Sequence, residues 1–246
     1  MPWKIGLIGT GNVASFWAHN LKGIDSVELF VRGSSPEKTR SFVTTHGLIE
    51  LDTQAVDVFL ICVQDRNIAS AITALPEHTP AFICAGLFSI QPYLTRPIGI
   101  IYPLQTIQAQ ALPSFSSVPF LAEFSESVRD IGSGFLYEMG LKYSEETEEA
   151  RFSAHLAAVF INNFGYFLMK HGLSLAQAHN IPSSIFKPLI NQTISNLLIN
   201  KYLQTGPARR NDEETLRSHE SMLSDQSLEI YKALSAFIQH SNTDEL

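Results

Sequence analysis

The feature that most limits what this chain can fold into is a glycine turn close to its start. Residues Gly9-Thr10-Gly11-Asn12-Val13-Ala14 read GxGxxA. They follow directly on a short apolar run, Lys4–Ile8, and lead directly into a helical pattern over 12–22. In a strand–turn–helix unit of this kind the first glycine permits the tight turn. The second lets the backbone approach a pyrophosphate, and a small third residue lets helix and strand pack closely. The phosphates then sit on unpaired N–H groups at the positive end of the helix. Gly9, Thr10, Gly11, Asn12 and Val13 are therefore candidate cofactor contacts.

The pattern continues as such a turn requires. Apolar runs at Val27–Val31, Val58–Val63, Ala81–Cys84, Gly99–Tyr102 and Val118–Ala122 alternate with helical stretches near 36–46 and 66–74. A helix over Ser125–Met139 and a strand at Leu141–Ser144 close this part of the chain. Alternation of this kind signals a mainly parallel, doubly wound α/β sheet, an N-terminal Rossmann domain over 1–146. Ligands of open parallel sheets bind beyond the carboxyl ends of the strands, which adds Val63, Gln64 and Gly86 to the candidate cofactor set. At the end of the second strand a carboxylate would bind the ribose 2′-hydroxyl of NAD. Here stand Arg32, Gly33, Ser34 and Ser35. A planar cation with two hydroxyls suits a 2′-phosphate, so NADP is favoured over NAD.

The acidic run Glu145-Glu146-Thr147-Glu148-Glu149 marks a change of character. Beyond it no period-two segment occurs, and amphipathic patterns near 147–171, 174–179, 183–203 and 212–240 predict an all-α domain over 147–246. The carboxylates read as the start of its first helix, where they meet the positive end of the dipole. Within that helix His155 lies in the apolar segment AHLAAVFINNF, and a buried imidazole there needs a partner or a task. At 100° per residue Asn162 falls about 20° from His155 on the helical wheel, and Asn163 about 80° away. On spacing alone a satisfied core histidine is the better reading of His155. The polar loop QTGPARRND over 204–212 separates two helices, with Asp212 as a cap.

Composition narrows the rest. The 246 residues are 45% hydrophobic and 17% charged, and the net charge is −7. A negative chain does not offer the basic surface that nucleic acid requires. The two cysteines, Cys62 and Cys84, fall in apolar runs, so no disulfide framework is expected and a reducing compartment is the default. No metal site is expected. The apolar stretches read as too short for a membrane span, and a soluble, cytoplasmic protein follows as the expectation.

Taken together, AHLAAVFINNF, FKPLI followed by Thr193, QTGPARRND with Thr215 and His219, YPLQT and VPFLAE resemble a known family. It is the Rossmann-like NADP oxidoreductase family with a C-terminal helical domain of unknown function. More distantly the organisation is similar to pyrroline-carboxylate reductase, ketopantoate reductase and the 6-phosphogluconate dehydrogenase superfamily. The resemblance implies a reductase of a small keto or imino substrate and a helical domain that closes over the nicotinamide and forms a homodimer. It implies His155 as the acid, with Asn162 or Asn163 bonding substrate and Arg210 holding a carboxylate. The cleft is then expected between the turn at 9–13, the loop after Cys84, the His155 face and the loop 204–210. Two departures bear on catalysis. Cys84-Ala85-Gly86 stands where the family tends to His-Ser-Gly, and Gln192 and Asn196 where it tends to Glu and Lys. They favour, as the alternative, a catalytically inactive NADP-binding or sensory protein on the same fold.

Overall fold

A computed structural model of the chain describes residues 2–51, 55–199 and 204–240. The chain forms two compact units, Met1–Phe167 and Leu168–Leu246.

The first unit is built on one eight-stranded sheet. Its strands are β1 (Trp3–Ile8), β2 (Val27–Arg32), β3 (Ile49–Glu50), β4 (Val58–Ile61), β5 (Ala81–Ile83), β6 (Ile98–Pro103), β7 (Phe120–Phe124) and β8 (Tyr143–Glu145). They lie in the order β3-β2-β1-β4-β5-β6-β7-β8. The first six reproduce the doubly wound Rossmann order, parallel throughout, and β7 alone runs antiparallel to its neighbour β6. The fold is thus the expected α/β class, and the helices beyond β8 complete it. The short β3 carries no run long enough to announce itself; pairing with β2 creates it.

Burial on both faces explains the sequence pattern. All four residues of β4 are buried, as a central parallel strand covered by helices requires. Helices α1 (Asn12–Leu21) and α4 (Arg129–Glu138) cover one face, with Phe16, Trp17 and Phe135 fully buried there. Helix α3 (Ile68–Thr73) covers the other through Ile68 and Ile72. Helix α2 (Pro36–His46) is bounded by local chemistry alone. Ser35 accepts from the Lys38 N–H at its start, Pro36 holds the first turn, and Gly47 ends it at φ 63°.

The change from strand to helix at 146 does not coincide with the division into compact units. Helix α5 (Glu148–Ala158) starts as the acidic run implies, capped by Thr147 with Glu148 and Glu149 in its first turn. It then stays with the sheet unit, because Arg151 on its first turns is wholly buried against β7 and the loop after β5. The helix widens into a π turn over Val159–Phe164 and continues as α6 (Gly165–Ala178). A separate helix at 174–179 does not form. The uninterrupted run Glu148–Ala178 has the length and mean hydropathy, 1.2 over eighteen residues, to cross a membrane. The expectation that no stretch reaches that length is corrected here: the join of three helical segments creates it.

The second unit holds α7 (Lys187–Leu198), α8 (Glu213–Ser221) and α9 (Asp225–His240). Residues 200–203 of the expected 183–203 helix lie outside the described residues, as do 241–246. The expected helix over 212–240 is broken after Ser221, where Asp225 takes φ 50°. Asp212 caps α8, accepting from both the N–H and the hydroxyl of Thr215.

Candidate functional site

The glycine turn is held open by backbone geometry. Gly9 has φ 124°, and a β-carbon there would stand 2.5 Å from the carbonyl oxygen of Cys62 at the end of β4. Only glycine allows β1 and β4 to approach so closely at their carboxyl ends. The chain then turns through Gly11 into α1, whose N-terminus has no side-chain cap. Its first N–H groups are left for a ligand.

A cavity of about 1080 Å³ opens at this edge. Gly9, Thr10, Gly11, Arg32, Ser34, Val63 and Gln64 all line it, seven of the residues singled out from the sequence. Lys38 on α2 and Arg66 after β4 line it as well and were not foreseen. Lys38 follows the loop at the end of β2, where its spacing from Arg32 is a signal the sequence did offer. Ser35 lies outside the lining and uses its hydroxyl to cap α2. Asn12, Val13 and Gly86 are likewise not among the lining residues. Among the described residues no carboxylate lines the cavity.

A second cluster forms at the carboxyl ends of β5 and β6. His155 Nδ1 lies 3.0 Å from the hydroxyl of Tyr102 on β6. Gly86 packs directly beneath them: a β-carbon there would stand 2.5 Å from His155 Nδ1 and 3.0 Å from Tyr102 Cε1. The pairing is imposed from one turn earlier in α5. Arg151 donates to Glu123 at 2.7 and 3.2 Å, to the Phe88 carbonyl at 2.8 Å and to the Gly86 carbonyl. This clamps α5 to the loop that carries Gly86, and His155 four residues on shares the clamped face. His155 is therefore turned onto the sheet edge. Burial raises the Tyr102 phenol above its ordinary pKa, and the nearby Asp65 charge adds to that.

Asn162 donates to Thr106, four residues beyond Tyr102. It stands on the π turn, so the wheel angle drawn for a regular helix does not hold; the wider turn changes the angular step. Asn163 sits exposed on the same turn. Arg210 belongs to the second unit, where it stands 4.0 Å from Asp212. Gln192 donates to Asn196 at 2.6 Å along α7. Cys62 and Cys84 are unpaired and buried, and burial with the neighbouring Cys84 pushes the Cys62 thiol up. Tyr102, Arg151 and Glu123 were missed by sequence reasoning, since their meeting depends on β6, α5 and β7 coming together.

Residues 118–238 match a domain family. It is the domain of unknown function DUF2520. Over 98% of its length the chain is similar to a solved structure from Bacteroides fragilis titled a "putative NADP oxidoreductase", of which it covers 99%, at 25% identity and a TM-score of 0.80. It is similar at 17% identity and a TM-score of 0.61 to 1-pyrroline-5-carboxylate reductase from Streptococcus pyogenes, covering 98% of this chain and 99% of that one. An imine reductase from Streptomyces aurantiacus is 10% identical with a TM-score of 0.68, over 95% of this chain and 92% of the other. No curated protein matches the sequence significantly. The fold is that of Rossmann-type oxidoreductases.

Proposed function

We propose that this chain is an NADP(H)-dependent reductase of a small keto or imino compound. The observation that carries the reading is a row of groups along one sheet edge. It runs from the glycine turn, past a pocket lined by Arg32, Lys38 and Arg66, to the imidazole and phenol above Gly86. The residues fit the cofactor. The uncapped start of α1 and the open backbone at Gly9 and Gly11 would hold the pyrophosphate, and Arg32 with Lys38 and Ser34 would hold a 2′-phosphate. The nicotinamide, when bound, supplies the hydride. His155 would supply or hold a proton, and Asn162 or Asn163 would bond the substrate. Arg210 is the candidate for a substrate carboxylate. The Bacteroides, Streptococcus and Streptomyces proteins, an oxidoreductase and two reductases by name, support reduction as the class of reaction.

NADP is expected to bind more tightly than NAD. Arg32→Ala should remove about 1.5–3 kcal/mol of that preference, roughly 10- to 150-fold. Titration of both nucleotides against wild type and variant tests it, and equal affinities in wild type would overturn the assignment.

Exposed apolar side chains on helices of both units support a homodimer. Phe160 and Ile161 are 62% and 75% exposed, and Leu197 and Leu198 65% and 79%. Surfaces of that kind are covered by a partner in soluble proteins.

A binding or sensory protein without turnover is the second reading. Cys84 and Ala85 are buried and apolar, where the resembled family tends to His and Ser. A turnover screen with NADPH against keto acids and imines, run beside the binding titration, separates the two.

A further inference from the structure

The phenol of Tyr102 is used by nothing so far assigned to the site, yet it sits on the one side chain proposed to handle a proton. We propose that Tyr102 is a positioning residue that fixes His155 as an Nε2–H donor, presented to the acceptor atom of a C=O or C=N group. This rests on the reductase reading for its substrate class, and on geometry for the rest.

A neutral phenol has one proton to donate, and a neutral imidazole has one nitrogen that accepts and one that donates. Tyr102 O–H and His155 Nδ1 are 3.0 Å apart. Gly86 closes the space beneath both rings, and the Arg151 clamp prevents α5 from sliding past β6. A phenol that keeps its proton donates it to Nδ1. Nδ1 is then an acceptor, and the ring proton of neutral His155 resides on Nε2. No hydrogen-bond partner for Nε2 is found among the described residues, and His155 is only half-buried, so this N–H is left for solvent or a ligand.

The charged groups around the pair are few. Asp65, at the start of the segment before α3, faces Tyr102. Arg151 of α5 is neutralised by Glu123 of β7. Asp65 sets the competing arrangement. Were Tyr102 to donate to that carboxylate instead, the phenol oxygen would accept from Nδ1–H, and Nε2 would be the bare nitrogen. That arrangement gives a base at the ligand side where the proposed one gives a donor.

With a reduced nicotinamide bound, hydride addition to the substrate carbon would push the C=O or C=N π pair onto the oxygen or nitrogen. That atom, held by Nε2–H, takes the Nε2 proton. As it leaves, the Tyr102 proton passes to Nδ1; a proton from solvent then adds to Nε2 and the Nδ1 proton returns to the phenolate oxygen, which restores both the phenol and the Nε2–H tautomer. The charge is balanced at the end by one proton taken from solvent, the stoichiometry of any such reduction.

The test is nitrogen NMR of the full chain labelled with ¹⁵N-histidine, with His155 assigned by the signal that disappears in His155→Gln. The expected result is an Nε2–H tautomer for neutral His155 in wild type. In Tyr102→Phe, which keeps the ring and loses only the hydroxyl, that preference should collapse towards a mixture. Gly86→Ala, which drives a β-carbon into the same contact, should do likewise. An Nδ1–H tautomer in wild type, or no change in Tyr102→Phe, would overturn the proposal. On a substrate found by the turnover screen, Tyr102→Phe should lower kcat by about tenfold and shift its pH profile, with KM for NADPH little changed, and His155→Gln should cost about 100-fold. A kcat and pH profile untouched by Tyr102→Phe would overturn it too. Should no substrate turn over, the reductase reading fails, while the tautomer still decides whether Tyr102 sets the donor.

Discussion

Arg151 determines where His155 stands, so its replacement is a quantitative test of how the site is built. Its side chain is wholly buried, and its carboxylate partner Glu123 is 13% exposed. Removing one member of a buried ion pair costs about 3–5 kcal/mol, because the other is left as an uncompensated charge. Glu123 keeps some contact with water, which moves the expectation for the pair to the lower end, about 3 kcal/mol. The Gly86 and Phe88 carbonyls lose their donors in the same substitution, each worth about 1 kcal/mol where water does not replace it. Arg151→Ala should therefore destabilise the sheet unit by about 3–5 kcal/mol. Arg151→Lys keeps the charge and loses the planar fork, so it should recover only part of that. In a cycle with Glu123→Ala the coupling should be about 1–3 kcal/mol. Both tryptophans, Trp3 and Trp17, lie in the first unit, so urea unfolding followed by their fluorescence reads this unit rather than the helical one. A loss below about 1 kcal/mol with an unchanged urea slope would refute the reasoning, since the network would then be solvated in all but appearance.

Gly9→Ala should abolish nucleotide binding and destabilise the fold together, because the new methyl meets the Cys62 carbonyl at 2.5 Å in a backbone region hostile to L-residues; isothermal titration and a melting curve would show both or contradict both. His46 has its pKa lowered by burial first, and then by Lys22 and His19. The folded state therefore binds the proton less readily than the unfolded one. Stability from this group is present above the unfolded value near 6.5 and falls as pH drops through that value towards the folded one; wild type should therefore lose more melting temperature than His46→Gln between neutral and mildly acid pH. Phe160→Ser with Leu198→Ser should convert the proposed dimer to monomer in sedimentation at micromolar concentration, and a wild type already monomeric there would sink the dimer.

Much of the cavity at the glycine turn was legible in the chain because it is local. Gly9, Gly11 and the helix they start are consecutive, and Arg32, Ser34 and Ser35 follow a strand whose end is marked by glycine and serine. The run Val58-Phe59-Leu60-Ile61 announces a strand buried on both faces, and Ser35, Pro36 and Gly47 bound a helix by capping chemistry that needs no tertiary partner. Those choices are made within a few residues, where sterics and backbone hydrogen bonds dominate. The rest depended on elements distant in sequence. Ile49–Glu50 becomes a strand only because β2 offers it an edge, and β7 turns antiparallel to β6 without any mark in its composition. Regular helical spacing could not foretell the π turn at Asn162 and Asn163. Whether His155 was a core residue or a site residue was undecidable from its helix, where both readings share one apolar pattern. The tertiary structure decided which way it faces, because the buried Arg151 fixes α5 against Glu123 and the Gly86 loop, and that contact spans 28 to 65 residues of chain.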